Sequence, residues 1–414
     1  YYHCNEVIAN RALAYAYKEF WNSRLAATLY PYSSLWAWLQ EQTTNDALQF
    51  LEQWGCATPN LETSWKKTKP YTRREVLQYS AEFQAQFSLH WGAVHKSQIV
   101  ASADYSQLMK EEFAQEYAAW QEKLSAQHVH ANNYYPVPLH PWLWRNTKAS
   151  YASLLDNKSL ILLPHHQKVI PTMSANTVMP LQAKAHLKLA SLSASGKNTL
   201  YACLDQEQHY QGSLFLMEQS TLSLATSDSI TQETEVFAAH LLTNPCSLVC
   251  SKHKIIPLLS LFTFFKHSNT HLIDEFIKVS TLAPFIYFSR YCRMIMAAPL
   301  HLLLKHGVTF TAAMDDLLLI FKQHELQGVI LRDVQQVVLQ KQKQCNEHHA
   351  IGAINNLLHN MIYPWVEHLT TYYRFTAEFL WAQAQQLLDN ALIELEKNYP
   401  QQFLPHYKKL WLLD

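Results

Sequence analysis

Over the first ~55 residues, apolar side chains recur at helical spacing. Leu13, Tyr17, Phe20, Trp21 and Leu25 form one series, and Leu35, Trp38, Leu39 and Ala47 to Leu51 form a second. A period near 3.6 gathers such groups on one stripe and predicts packed helices. Helices are expected again over Arg73–Ser80, entered after the capping residue Thr72, and from about Tyr105 to Gln127. The stretch Cys56–Pro70 reads as loop, and three prolines between Asn132 and Pro141 favour extended backbone.

The pattern then changes. Leu160–Leu163, Lys168–Pro171, Ala185–Ser193, Thr199–Leu204, Ser213–Met217 and Ser247–Ser251 are short apolar or alternating runs between polar turns, which predicts a mostly antiparallel sheet. From Leu272 the chain reads as helical again, ending in a long helix from about Tyr372 to Lys397. Helices, then a sheet, then helices define an α+β fold class rather than alternating β/α units.

Composition narrows the function classes. With 414 residues, 49% hydrophobic and 16% charged, the chain is globular and long enough for about two or three packed subdomains. Lys plus Arg equals Asp plus Glu at 33 each, and no basic stripe is present, so no nucleic-acid partner is expected. Seven scattered cysteines argue for reduced thiols in a cytoplasmic protein; Cys246, Cys250 and His253 lack a second pair at zinc-site spacing. The chain opens at Tyr1 without Met, which leaves a targeting segment upstream open. Ile255–Phe265 is shorter than the ~20 residues of a membrane span, and Arg290 and Arg293 interrupt Ala283–His306, so no membrane association is expected.

Glycine is scarce, with seven in the whole chain, and neither G-x-G-x-x-G nor G-x-x-x-x-G-K-[ST] occurs. Rossmann and Walker phosphate loops need backbone amides brought close by glycine and are therefore excluded. Any nucleotide bound here must be held by side chains.

Several segments carry candidate chemistry in a fixed order. Arg74–Phe83 and Leu89–Lys96 come first, then Pro138-Leu-His-Pro-Trp142. Ile170-Pro-Thr-Met-Ser-Ala-Asn-Thr177 follows, with Lys188 eleven residues after Thr177, and then His306-Gly-Val-Thr-Phe310 and Leu331-Arg-Asp333. In this order and spacing the chain resembles the aerobactin-synthetase (IucA/IucC) family of siderophore synthetases, from about Gly55 to the last helix. The resemblance implies a cupped-hand fold: a helical thumb over residues 1–130 (shortened at its N-terminus), antiparallel β-rich fingers over 131–252 and a helical palm over 253–414.

It also implies a reaction. These enzymes use ATP and Mg²⁺ to adenylate a polycarboxylate such as citrate, which then condenses with an amine or alcohol. Phosphate donors and metal-holding acids are the parts such chemistry needs. By resemblance, Ser174, Asn176, Thr177 and Lys188 would bind the nucleotide, joined by Lys66, Lys67 and Asp316. Asp333 with Asp316 would hold Mg²⁺, and Lys188 and His140 are the catalytic candidates. Strand alternation puts Lys188 on one face with His186, opposite Leu187 and Leu189. A homodimer is compatible with the resemblance.

The departures from the family pattern are specific. Asn176 replaces an arginine, and the early motif near Pro59–Lys66 lacks both of its histidines. In the palm motif, Thr311, Ala313, Asp315 and Asp316 stand for Glu, His, Gln and Asn. Positions 313 and 316 are expected one turn apart on a helix. A charge-assisted contact is worth about 1.5–3 kcal/mol, so two readings stay open: an active ligase, or a catalytically degenerate relative acting as a ligand-binding or scaffold protein.

Overall fold

The computed structural model describes all residues except 1, 57–71, 175–176, 182–184, 190–196, 208–212, 225–237, 335, 340–346 and 399–414. The expected loop Cys56–Pro70 therefore lies almost wholly outside the described residues. The N-terminal periodicity produces helices Tyr2–Leu29, Leu35–Glu41 and Thr44–Trp54. Ser34 and Thr43 cap the second and third, each side chain accepting from the backbone N–H three residues on. Helix Arg73–Tyr79 opens with a full capping box between Thr72 and Glu75. The helix expected over 105–127 is broken at Phe113 into Tyr105–Glu112 and Ala114–Ser125.

The chain forms two compact units, each discontinuous in sequence. The first comprises Tyr1–Ala14, Lys67–Ser193 and Met217–Ser247; the second comprises Tyr15–Lys66, Ala194–Leu216 and Leu248–Asp414.

The first unit is built on an antiparallel sheet. Its strands are β1 (Phe87–His95), β2 (Ile99–Ala101), β3 (Tyr134–Leu139), β4 (Leu160–Pro171), β5 (Thr177–Pro180) and β6 (Ala185–Leu189). A β7 belongs to the second unit; β8 (Glu218–Leu224) and β9 (Ala238–Thr243) complete the sheet in the order β2-β8-β9-β6-β5-β4-β1-β3. One face is apolar: Leu89, Trp91, Leu187, Leu189, Leu222, Ala239 and Leu241 join a core with Tyr105, Met109, Phe113, Trp120 and Leu124. Trp120 donates its indole N–H to the carbonyl of Gly92 at 3.0 Å.

The second unit has its own core. β10 (His253–Pro257), β14 (Leu317–Lys322) and β15 (Glu325–Leu331) run antiparallel, and β7 (Leu214–Leu216) joins β15 in parallel. β11 (Phe264–Phe265) pairs with β12 (Thr270–His271), and β13 (Val308–Thr311) with β16 (Gln336–Leu339). Trp54, Phe276, Phe288 and Trp365 are buried at the centre of this cluster. Helix Pro284–His301 packs on Glu347–Tyr373 and Ala377–Asn398. No described helix is long and apolar enough to cross a membrane.

Three expectations are corrected. Thr199–Leu204 belongs to the helix Lys197–Gln206, because Leu200, Cys203 and Leu204 recur at i, i+3, i+4. Ser247–Ser251 comprises the end of the 3₁₀ segment Pro245–Leu248 and the irregular backbone after it. The region beyond Leu272 is not purely helical: β13 to β16 interrupt it. Leu317–Phe321 is buried at every position, so this strand shows no alternation and its leucines mimic helix.

Helix Pro284–His301 ends in a π turn, Leu302–His306, closed by Gly307 at φ 63°. That left-handed conformation costs a residue with a Cβ about 1–2 kcal/mol. Gly307→Ala is therefore expected to lower stability by about that amount, read as a lower urea midpoint at unchanged slope.

Candidate functional site

The first cluster of predicted residues lies within the first unit's sheet. Thr177 on β5 pairs directly with Lys188 on β6, and Lys188 pairs with His240 on β9. Directly opposed residues share a face in antiparallel pairing. Leu187, Leu189 and Leu241 fill the core on the other side, so Thr177, Lys188 and His240 form a row on the face that also carries His186. Thr177, His186, His240 and Lys188 are all buried.

Ser174 sits beside the row. The Thr177 N–H donates to the Ser174 carbonyl at 3.3 Å, and the two hydroxyls lie 3.2 Å apart. Thr172 donates its hydroxyl to the Thr177 carbonyl at 3.0 Å and to that of Ser174 at 3.3 Å, pinning both. A lysine, two hydroxyls and an imidazole make a donor set suited to an anionic oxygen. Asn176, Lys66 and Lys67 lie outside the described residues.

His140 occupies a different place. It caps helix Pro141–Thr147, its Nδ1 accepting from the Trp142 N–H at 3.1 Å. The ring is buried edge-on to Tyr79 and Phe87, with centroids 5.0 and 4.8 Å away.

The remaining candidates belong to the second unit. Asp316 ends a 3₁₀ turn, Met314–Asp316, just before β14, so positions 313 and 316 do not stand on an α-helix as expected. The Arg332 N–H donates to the Asp316 carbonyl at 2.9 Å, which puts Asp316 and Asp333 at the same end of the β14–β15 hairpin. Asp333 is ion-paired with Lys197, Oδ1 to Nζ 3.0 Å, with both side chains about nine-tenths buried or more. Arg332 is wholly buried; its guanidinium pairs with the buried Glu52 and donates to the Asp315 carbonyl at 3.2 Å.

Two further clusters in this unit escaped the sequence reading. Glu207 takes His301 on one carboxylate oxygen (2.9 Å) and both His306 (2.6 Å) and Lys305 (2.7 Å) on the other. Burial pushes its carboxyl up, but the Lys305 and His306 donors and the His301 charge outweigh that and hold it down to about 2. Asp274 receives His271 (3.0 Å), His368 (2.7 Å) and the Tyr373 hydroxyl (2.8 Å). Among the described residues these two groups, Glu207-His301-His306 and His271-Asp274-His368, have metal-ligand spacing. In each, hydrogen bonds already engage the carboxylate, and Lys305 opposes a second cation in the first.

Comparison with known proteins places this arrangement. The structure of aerobactin synthetase IucC from a hypervirulent pathotype of Klebsiella pneumoniae superposes with a TM-score of 0.71 at 17% identity, covering 97% of this chain and 76% of that one. The ATP-bound aerobactin synthetase IucA from the same pathotype gives 0.68 at 16%, covering 96% and 76%. The fold is thus that of the siderophore synthetases.

The profile described as IucA / IucC family matches residues 47–199, and that of the ferric iron reductase FhuF-like transporter matches 286–413. The putrebactin synthase of Shewanella sp. (strain MR-4) is 22% identical over 290 residues, 62% of this chain and 46% of that protein. Over residues 47–199 the chain is thus similar to the IucA/IucC family. A citryl-spermidine/3,4-dihydroxybenzoyl-citryl-spermidine:spermidine ligase of Bacillus anthracis is 27% identical over 106 residues, 24% of this chain and 17% of that protein. Each match spans less than half the length of these curated relatives.

Proposed function

We propose that this chain is an ATP-dependent ligase of siderophore assembly, which activates a citrate-like polycarboxylate for attack by an amine or alcohol in a cytoplasmic setting. The observation that supports it best is the row Thr177–Lys188–His240 with Ser174 pinned beside it. In this reading the Lys188 ammonium and the two hydroxyls hold phosphate oxygens, and Lys188 offsets charge that develops as pyrophosphate departs. ATP supplies the leaving group that turns a carboxylate into an acylating agent. Relatives named for activities of this type, among them the citryl-spermidine:spermidine ligase, support the substrate class.

A divalent cation fits less well. Mg²⁺ asks for near-octahedral oxygen ligands at about 2.0–2.1 Å, whereas the Asp333 carboxylate already holds the Lys197 ammonium at 3.0 Å. No step is assigned to the metal. The same ion pair, together with Ala313 and Asp316 in place of donors, favours as a second reading a non-catalytic relative that keeps a polyanion site.

The test is pyrophosphate release with ATP, citrate and a panel of amines. Lys188→Ala should lower kcat/KM by about 10- to 150-fold, the equivalent of one charge-assisted contact at about 1.5–3 kcal/mol, with an unchanged circular dichroism spectrum. Absence of both ATP-induced thermal stabilisation and pyrophosphate release in the wild-type protein would overturn the ligase reading.

A further inference from the structure

The pairing of Lys197 with Asp333 says more than that a metal fits poorly. Asp333 follows β15 and is largely buried, so its charge needs a partner. The resemblance gives that role to a divalent cation. Here it falls to the first residue of helix Lys197–Gln206, 136 positions earlier in the chain. A lysine at that helix position stands at the positive end of the macrodipole, where a cation is disfavoured unless a carboxylate offsets it. Its burial is equally disfavoured for an unpaired ammonium. Asp333 beside it offsets both penalties. The cation is thus tied to this carboxylate from both sides of the pair.

We propose that Lys197 is a tethered counter-cation that takes the place of a divalent metal at Asp333, so that Asp333 is not a metal ligand in this chain. The inference refines the ligase reading by removing one metal ligand from the palm. It holds equally if the chain binds a polyanion without catalysis. An ammonium differs from Mg²⁺ in carrying one charge and in leaving only by side-chain rotation, so the charge at this carboxylate is set by the sequence and not by metal supply.

Mn²⁺ titration followed by electron paramagnetic resonance, with no nucleotide or citrate present, tests this independently of any activity. Wild type and Asp333→Asn should bind Mn²⁺ with the same affinity. Lys197→Gln, which takes the ammonium away from the carboxylate, should tighten Mn²⁺ binding at least tenfold, and Lys197→Arg, which keeps the charge, should not. A Mn²⁺ site in the wild-type protein that is lost in Asp333→Asn would overturn the proposal, whether or not the Lys197 variants fold. So would a folded Lys197→Gln protein with wild-type Mn²⁺ affinity. Absence of both the ATP-induced thermal shift and pyrophosphate release sinks the ligase reading but leaves this comparison intact.

Discussion

Arg332→Met should destabilise the second unit by about 3–5 kcal/mol, because it takes the guanidinium away from the buried Glu52 carboxylate. Both members of the pair are fully buried, and they are 280 positions apart in sequence. The guanidinium also donates to the Asp315 carbonyl at 3.2 Å, so the same change removes a tie on the turn that carries Asp316. Glu52→Leu combined with Arg332→Met should recover most of the loss, since apolar side chains of similar volume commonly replace a buried ion pair at little net cost. Urea unfolding of the two single variants and the double variant provides the measurement. A double-variant loss equal to the sum of the two single losses would show that the two residues do not act as a pair.

Asp274→Ala is expected to cost about 3 kcal/mol, within the range for a carboxylate that accepts more than one hydrogen bond. It leaves His271, His368 and Tyr373 without their shared acceptor. The cluster also predicts acid sensitivity. Burial lowers the His368 pKa below its ordinary 6.5, against the opposing pull of Asp274, so the folded protein takes up this proton at a lower pH than the unfolded chain does. Below about pH 6.5 the unfolded chain then binds more protons, and stability falls as pH drops. Burial pushes the Asp274 carboxyl up, but hydrogen bonds from His271 and His368 prevail and hold it well below its ordinary 3.8. Its contribution is complete above 3.8 and is lost as pH falls below that value toward the folded pKa. Thermal midpoints between pH 7.5 and 3 should decline in wild type through both windows; in Asp274→Asn the decline below about pH 4 should flatten. A wild-type midpoint that is constant from pH 7 to 5 would contradict the assignment to His368.

Much of the architecture was readable from local pattern. The helix cap at Thr72 announces itself because a short polar side chain meets an orphan N–H three residues on. The Lys188 face was equally legible, since strand alternation separates it from Leu187 and Leu189 without any knowledge of neighbours. What pattern could not supply was pairing across long separations. His240 stands in an otherwise apolar run, and nothing local says that β9 lies beside β6. Glu52 lies on a helix whose partner is a hairpin far downstream, and Lys197 looks like any lysine after a glycine. β14 was read as helix because a strand buried throughout loses the period-two signal by which strands are recognised.

The way the chain is shared between the two cores has a consequence for synthesis on the ribosome. Trp21, Leu35, Leu51 and Trp54 are buried in one cluster with Phe276, Phe288, Ile354 and Leu388. These early helices therefore emerge hundreds of residues before the groups that cover them. Most of the first unit's sheet is translated in the interval. The nascent protein must carry an uncovered aromatic surface through most of elongation, the condition under which chaperones are engaged and aggregation competes.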